Sequence, residues 1–476
     1  MIRCEDSAAL RHLIGAAGTV MRLLIVICAS GVLLEPIAVA GPPGELSSAI
    51  EAYFGAADSE SRARRLLEIT DLAGGELDVV VAALREIHVW PELGDAVGTI
   101  GIDPLRGSTP AWTYHLPDDY DCRLPHPLIV CLPSHDGIDG RLTISMALAD
   151  LDHLADGFVL VAPHQALTDR RGLSTSAEDS LHGFSSAVRR RIHIDSERVF
   201  LYGIDRGADE AWHLELTHSW TFAGMIVHGG RPIVEYPRQV LPFLLENLRG
   251  LSIFSTWAAA DPNSAEPRSR LTAAHNRAVI DWARQVGLSI DGIELRPGGN
   301  RRTGGAIDED GAVADGRRAV LAARRDRLET VVARWFRRPH EGDVGWLRQL
   351  RFGGEVWDAD QTSIAVAPGA DRDTVIADRV KERMAYLGGR VEGNVIRIET
   401  RKCGRIEVRL RVAMIDFSKP LEVYCNGRRR YRRIVVPSIA TLLETAQESW
   451  EFRHPVVARL SISIKSDAAG KVGSGG

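Results

Sequence analysis

Residues 199–212 constrain the fold of this chain more than any other segment. An apolar run (199–202) leads into the five-residue turn Gly203 to Gly207, and a sequence typical of a helix follows directly. Glycine on both sides of a tight turn lets backbone segments approach closely, so a strand can pass straight into a helix. A sharp turn of this kind lifts its central residue, here Asp205, above the end of the strand. The segment therefore predicts a strand–turn–helix unit with a carboxylate at its tip.

Short apolar runs alternate with helical patterns over the middle of the chain. The runs are 128–132, 158–162, 199–202, 224–227 and 251–254, and the predicted helices are 141–154, 176–192, 206–218, 236–249 and 269–286. Continuous apolar runs separated by helices are typical of parallel strands that are buried on both faces. We therefore predict an α/β domain with a mostly parallel sheet covered by helices. Residues 298–318, rich in glycine and charge, predict a loop, and a helix over 319–337 is expected to close the domain.

Different patterns flank this domain on both sides. Residues 45–95 carry apolar positions at helical spacing, which predicts a small helical lead-in. After Pro339, apolar and polar residues alternate in 395–400, 406–412, 421–425, 431–436 and 458–464, and Asn426-Gly427 is a strong hairpin signal. We predict a β-sandwich-like module there. The expected organisation is an export signal region (1–40), the helical lead-in (41–100), the α/β domain (101–340), the β-module (341–465) and a disordered tail (466–476).

The N-terminal region resembles an export signal. Residues 21–40 contain an arginine, an apolar run and an A-x-A pattern that ends at Ala40. The run is too short for a membrane span and is interrupted by Glu35-Pro36, so no stable span is expected after removal of the signal. We predict an exported bacterial protein, periplasmic or extracellular. The alternative is a buried N-terminal helix, and translation could begin at Met1 or at Met21.

Charge and cysteine content limit the partners. A formal net charge of -5 over 476 residues gives no global field that favours nucleic acid, and none is expected as a partner. The arginine-rich segment 428–433 could bind an anionic polymer, but we favour an edge strand whose charges discourage edge pairing. Cys403 and Cys425 could form a disulfide in an oxidising compartment, which the sequence leaves open. No C-x-x-C spacing occurs, and we expect neither a metal nor a cofactor.

Four further segments carry a resemblance to a known family. They are 114–120 (Y-x-x-P-x-x-Y), 127–133, 194–203 and 220–224, in this order along the chain. With the glycine-flanked turn, they resemble α/β-hydrolases of the exported esterase, depolymerase or peptidase-like type, and the C-terminal β-module resembles one appended to some of these proteins. The resemblance implies an α/β-hydrolase-like sheet and a cleft for a small or polymeric ester- or peptide-like ligand.

The catalytic positions depart from the pattern that this resemblance implies. Asp205 stands where the family has its nucleophilic serine, and Asn300 stands near the expected histidine. Pro133-Ser134 replaces the "H-G" of the oxyanion side, and proline has no N–H to donate. Asp261 retains the acid of the family. A serine hydrolase needs a hydroxyl, a base and oxyanion donors, so the degenerate motifs predict impaired catalysis.

Three histidines follow apolar runs: His135, His164 and His228. The carboxyl ends of parallel strands meet at one sheet edge, where ligands bind, so these side chains are expected near Asp205 and Asp261. They could form a metal site or provide a relocated base. We favour three unrelated loop histidines, and His228 is the candidate if a base survives.

The sequence supports three functions. The first is an exported hydrolase-fold pseudoenzyme, with Asp205, Asp261 and His228 as its former or residual catalytic group, and Ser134, Arg206 and Asn300 around the oxyanion position and cleft. The second is an active hydrolase of ester-type substrates that uses Asp205 or a rim histidine. The third is a binding or scaffolding protein that acts through the β-module.

Overall fold

The computed structural model describes residues 44–101, 112–135, 138–164, 168–169, 172–173, 187–232, 238–259, 267–295, 309–357 and 364–464. The export signal region, the tail, Asp261 and Asn300 lie outside the described residues. The helices are α1 (Gly44–Gly55), α2 (Ser59–Leu72), α3 (Leu77–Glu86), α4 (Gly140–Leu151), α5 (Arg206–His218), α6 (Leu241–Leu245), α7 (Pro267–Gln285), α8 (Glu309–Leu321), α9 (Arg372–Arg383) and α10 (Ile439–Ser449).

The strands fall into two larger groups. The first comprises β1 (Val97–Ile100), β2 (Trp112–His115), β3 (His126–Leu132), β4 (Val159–Pro163), the short hairpin β5 (Thr168–Asp169) and β6 (Gly172–Leu173), and then β7 (Ile194–Ile204), β8 (Gly224–His228), β9 (Ser252–Ala258) and β10 (Ile290–Leu295). The second comprises β11 (Val331–Phe336), β12 (Asp343–Val344), β13 (Leu347–Phe352), β14 (Ala385–Glu392), β15 (Val395–Arg401), β16 (Cys403–Arg411), β17 (Leu421–Cys425), β18 (Arg428–Arg433) and β19 (Val456–Ser463).

Eight strands form one large, mostly parallel sheet. Their order is β1-β2-β4-β3-β7-β8-β9-β10, in which β2 runs antiparallel to both of its neighbours and all pairs from β4 to β10 are parallel. Every residue of β3, β4 and β8 is buried, which explains why these strands are continuous apolar runs. Helices α4 and α8 cover one face of the sheet, and α5 and α7 cover the other. This arrangement confirms the predicted α/β-hydrolase-like architecture.

One predicted helix is wrong. The sequence predicts a loop over 298–318 and a helix over 319–337, but α8 spans Glu309–Leu321 and β11 begins at Val331. Within β11, Val332, Arg334 and Phe336 are the buried positions, so burial alternates with a period of two. The charge of the inward-facing Arg334 hides this alternation in the sequence. The predicted helix 236–249 is also broken, because two 3-10 turns flank the short α6.

The C-terminal strands form two sheets that share one core, as expected of a β-sandwich-like module. Their orders are β11-β14-β15-β17-β18 and β12-β13-β16-β19. Asn426 and Gly427 join β17 to β18 with φ values of 50° and 75°, which confirms the predicted hairpin turn. The arginine-rich β18 lies at the edge of its sheet, as we favoured. Cys403 and Cys425 are buried and carry free thiols, so the possible disulfide is not formed.

The N-terminal helices pack against a helix that the sequence patterns did not reveal. Leu46, Ile50 and Leu84 share a core with Leu442 and Leu443 of α10. The lead-in and the C-terminal part of the chain therefore stabilise each other. Among the residues described, no helix has both the length and the apolar character that a membrane crossing requires.

Candidate functional site

Asp205 lies at a strained turn between β7 and α5. Its backbone adopts φ 52° and ψ -108°, a conformation that residues other than glycine rarely hold. The N–H of Asp205 donates to the carbonyl oxygen of His228 at 2.8 Å, and the N–H of Asp209 donates to the carbonyl oxygen of Asp205 at 3.2 Å. Neighbouring structure thus holds the turn at both sides, as is typical of strained functional positions.

The glycines of the turn are required by close backbone contacts. A Cβ atom on Gly203 would lie 2.3 Å from the carbonyl oxygen of Gly207, and one on Gly207 would lie 2.3 Å from the carbonyl oxygen of Leu132. The carboxylate of Asp205 lies over Gly229, where an added Cβ would be 2.9 Å from Oδ1 of Asp205. The predicted strand–turn–helix unit is therefore confirmed, with its carboxylate in a tightly built corner.

The backbone donor that follows Asp205 is already engaged. In this type of turn, the N–H of the residue after the nucleophile is one of the donors that bind an oxyanion. Here the N–H of Arg206 donates to the carbonyl oxygen of Ser134 at 3.4 Å. Pro133, the residue before Ser134, has no N–H to offer. The Arg206 side chain lies along α5, with Nε 3.6 Å from Oε1 of the buried Glu210. Ser134 and Arg206, which were predicted on the oxyanion side, are neighbours in the structure. The N–H of Arg206, however, points at a carbonyl oxygen.

The three rim histidines do not form one cluster. His135 is exposed, and Nε2 of His164 lies 2.8 Å from Oγ1 of Thr113. His228 is buried, at 6% exposure. Over the described parts of the chain, no group of three or more His, Cys, Asp or Glu side chains is placed to hold a metal ion. The interpretation of three loop histidines is wrong for His228, which is the last residue of β8 and is buried.

His228 belongs to a buried polar network. Its Nδ1 is hydrogen-bonded to Oγ1 of Thr256 at 2.7 Å, and its Nε2 lies 3.3 Å from Oδ2 of Asp150. Asp150 also accepts from the hydroxyl of Tyr202 at 2.9 Å and from the guanidinium of Arg317 at 2.7 Å. The sequence patterns missed this network because its members come from β7, β8, β9, α4 and α8. The signals in the sequence were Tyr202 at the end of one apolar run and His228 directly after another.

Electrostatics favours the ionised form of Asp150 and the neutral form of Tyr202. Burial raises the pKa of Asp150, but the hydrogen bond and charge of His228 and the charge of Arg317 outweigh burial and lower it. Burial, reinforced by Asp150, raises the pKa of Tyr202 well above its usual value. Thr256, His228 and Asp150 stand in the order of a hydroxyl–imidazole–carboxylate triad, but Thr256 is only 2% exposed. A substrate cannot reach its hydroxyl in this conformation.

The structure brings together part of the predicted site. Asp205, Arg206 and Ser134 meet at the turn, and a main-chain hydrogen bond joins His228 to Asp205, while the ring of His228 lies in the buried network. Asp261 and Asn300 lie outside the residues that the structure describes. Their roles in the site remain predictions.

Several solved structures resemble this chain. A thermostable esterase matches 48% of this chain and 64% of its own length, at 16% identity and a TM-score of 0.38. A ferulic acid esterase matches 47% of this chain and 96% of its own, at 14% identity and a TM-score of 0.35. A fluorophosphonate-binding serine hydrolase of Staphylococcus aureus matches 48% and 98%, at 14% identity and a TM-score of 0.34. By sequence, neither a family model nor a curated protein matches the chain.

Proposed function

We propose that this chain is an exported α/β-hydrolase-fold protein of the esterase or peptidase type in which the serine mechanism is lost. One observation carries the proposal: the N–H of Arg206, the donor expected to face an oxyanion, is hydrogen-bonded to the carbonyl oxygen of Ser134. An acyl-transfer intermediate would have to displace this contact. Export, to the periplasm or beyond the cell, rests on the signal pattern of residues 21–40, and mass spectrometry of the mature N-terminus tests it.

The chemistry of Asp205 supports the same conclusion. A carboxylate lacks the hydroxyl that forms an acyl-enzyme, and it attacks saturated carbon instead. The resulting ester persists unless a base activates water to break it. The imidazole of His228 is held by Thr256 and Asp150 beneath the helices that cover the sheet. A pseudoenzyme that binds an ester- or peptide-like ligand in the cleft, without turnover, therefore fits these contacts best.

A second candidate is an active hydrolase that uses Asp205 as nucleophile. The observation in its favour is the φ of 52° at Asp205, since strain of this kind is usually retained where it serves a function. In this alternative, turnover would depend on the ionised carboxylate itself. Asp205→Asn would then abolish it.

The test is a comparison of full-length wild type, Asp205→Ala, Asp205→Asn and Asp205→Ser on short- and medium-chain esters. Asp281→Ala, an exposed carboxylate on α7, is the matched control. We expect no turnover above background in any of them, including Asp205→Ser, because a new hydroxyl would still face an engaged oxyanion donor. Turnover in wild type and Asp281→Ala that is absent in Asp205→Ala would refute the proposal and establish the second candidate.

A further inference from the structure

A cavity of about 660 Å³ lies at the end of α5 that is opposite to Asp205. Its lining includes His218 at the end of α5, Trp220 and Thr221 just before β8, and residues of the β-module. Asp205 adjoins the opposite, carboxyl end of β8, where His228 accepts its N–H. The cavity is therefore at the amino end of the large sheet, next to the module, and is separate from the strand–helix turn. Its volume is in the range of sites that bind small molecules.

Positive charge dominates the lining of this cavity. Seven arginines and three carboxylates contribute to it. Each carboxylate already has an arginine beside it, and the closest nitrogen–oxygen pairs are Arg409 with Asp343 at 3.0 Å, Arg459 with Glu448 at 2.6 Å and Arg189 with Glu451 at 4.0 Å. Arg348 shares Asp343, at 4.0 Å. The remaining arginines have to find other acceptors.

Those three arginines, Arg327, Arg334 and Arg411, bond mainly to the backbone. Arg327 donates to the carbonyl oxygen of Trp220 at 2.6 Å, and Arg411 donates to the carbonyl oxygen of Arg327. Arg334 donates to a hydroxyl, Oγ of Ser219, at 2.6 Å, and to backbone carbonyls. Among the described residues, no carboxylate oxygen lies within 4 Å of any of the three guanidinium groups, and the buried Nε atoms of Arg334 and Arg411 have no acceptor.

Carbonyl oxygens satisfy the geometry of these donors but do not neutralise their charge. Burial lowers the pKa of Arg327 to about 9 and that of Arg334 to about 10, so both remain cations at neutral pH. The nearby Glu215 does not compensate, because burial raises its pKa to about 8 in spite of Arg325 and Arg334.

Glu451 acts on Arg327 and Arg411 from beyond 4 Å, and Glu341 and Asp343 act on Arg334 in the same way. These carboxylates already pair with Arg189, Arg337 and Arg409. Positive charge therefore remains in surplus around buried guanidinium groups, which is costly, and a bound anion would offset it. A purely structural role would account for the bonds to carbonyls but not for the charge surplus.

We propose that this cavity binds a small anion bearing phosphate groups. Guanidinium groups bind phosphate oxygens in a planar, two-pronged geometry, and several of them can share the oxygens of one phosphate group. The volume exceeds what a single phosphate fills, so a diphosphate or a phosphorylated small molecule is the expected class. This site does not depend on the proposed loss of hydrolase activity. It gives the β-module a binding role of its own.

The test is isothermal titration of the full-length protein with pyrophosphate and with inorganic phosphate at constant ionic strength set by chloride. Arg348→Gln removes a lining guanidinium whose side chain is 49% exposed, so its loss should be tolerated by the fold. Arg351→Gln is the matched control, because Arg351 is exposed on the same strand, β13, outside the cavity lining.

We expect pyrophosphate to bind at one saturable site, more tightly than inorganic phosphate. Arg348→Gln should weaken it about tenfold or more, while Arg351→Gln should stay within about twofold of wild type. Circular dichroism checks that both variants fold. If Arg348→Gln does not fold, Arg459→Gln, on β19 and also in the cavity lining, takes its place with the same expectation. Absence of saturable binding, or equal weakening by the lining and control variants, would overturn the proposal.

Discussion

The two ends of helix α5 lie in opposite kinds of surroundings. At its first residues, backbone contacts hold Asp205 in a strained turn, and the donor of Arg206 is met by a carbonyl oxygen. At its last residues, His218 lines a cavity in which three arginines have no carboxylate within 4 Å among the described residues. The first end has a tightly built turn that carries a carboxylate, and the backbone donor after it is hydrogen-bonded. The second end adjoins a cavity that is lined by more arginines than carboxylates and that does not resemble a familiar site.

The geometry of the turn does not depend on any activity. The turn at Asp205 is specified by steric demands on Gly203 and Gly207, which apply whatever side chain stands between them. The backbone of such a turn can therefore persist whether or not the side chain at its tip is catalytic. The arginines of the cavity carry a continuing electrostatic cost, which a purely structural origin explains poorly. The cavity is therefore a stronger candidate for a binding site than the turn.

The largest expected effect is at the turn itself. In Gly207→Ala the new Cβ would lie 2.3 Å from the carbonyl oxygen of Leu132, so the backbone of β3 or α5 must shift. We expect a loss of about 4 kcal/mol or more in the free energy of unfolding, or failure to fold. Chemical denaturation measures it, with Gly94→Ala as the control, since an added Cβ there meets no atom within 4 Å. Similar stability of the two variants would mean that the turn is not sterically specified.

The fold was largely predictable because its signals are local. Each buried parallel strand is a continuous apolar run, and the sandwich strands alternate, so both periods are visible in short windows. The prediction failed where a charged residue faces inward. In β11, the charged Arg334 hides the alternation of a strand, and the segment was predicted to be a helix. The polar partner that permits the burial of Arg334, Ser219, lies in a distant segment.

The candidate site was predictable only in part. Asp205, Arg206 and Ser134 could be placed together because the turn motif and the end of the preceding apolar run define where they lie. The network around His228 could not be predicted, because Asp150 and Arg317 belong to helices α4 and α8. These helices lie far before and far after His228 in the sequence. The cavity is harder still to predict from the sequence. Its arginines are spread over residues 189 to 459, and each is ordinary within its own segment.

Glu215 is a fully buried carboxyl group near the C-terminal end of α5. Burial raises the pKa of its carboxyl to about 8, although Arg325 and Arg334 act to lower it, and its usual value is 4.5. The unfolded chain therefore loses this proton at lower pH than the folded one. The contribution of Glu215 to stability is complete below about pH 4.5 and is lost as pH rises to about 8.

Glu215→Gln removes this pH dependence. Relative to wild type, we expect the variant to gain stability as pH rises from 5 to 8, by on the order of 3 kcal/mol, and to change little above that. Urea unfolding across this range measures the difference, with Glu60→Gln on the exposed surface of α2 as the control. A constant difference over pH 5 to 8 would show that the arginines hold Glu215 ionised. Glu215 would then be the counter-ion of Arg334. The electrostatic reason for a bound anion in the cavity would be weaker.

The smallest expected effect concerns the ring of His228. Thr256→Val keeps the shape of a side chain that is only 2% exposed but removes the oxygen that lies 2.7 Å from Nδ1 of His228. We expect a loss of about 1–2 kcal/mol, because a buried ring nitrogen then lacks its partner. Urea unfolding beside Thr330→Val, an exposed control, measures the loss. If the two variants lose equally little, the imidazole is held by Asp150 and Arg317 alone and is freer to turn than its contacts indicate. That result would return His228 to consideration as a base for Asp205, and would narrow the contrast between the two ends of α5.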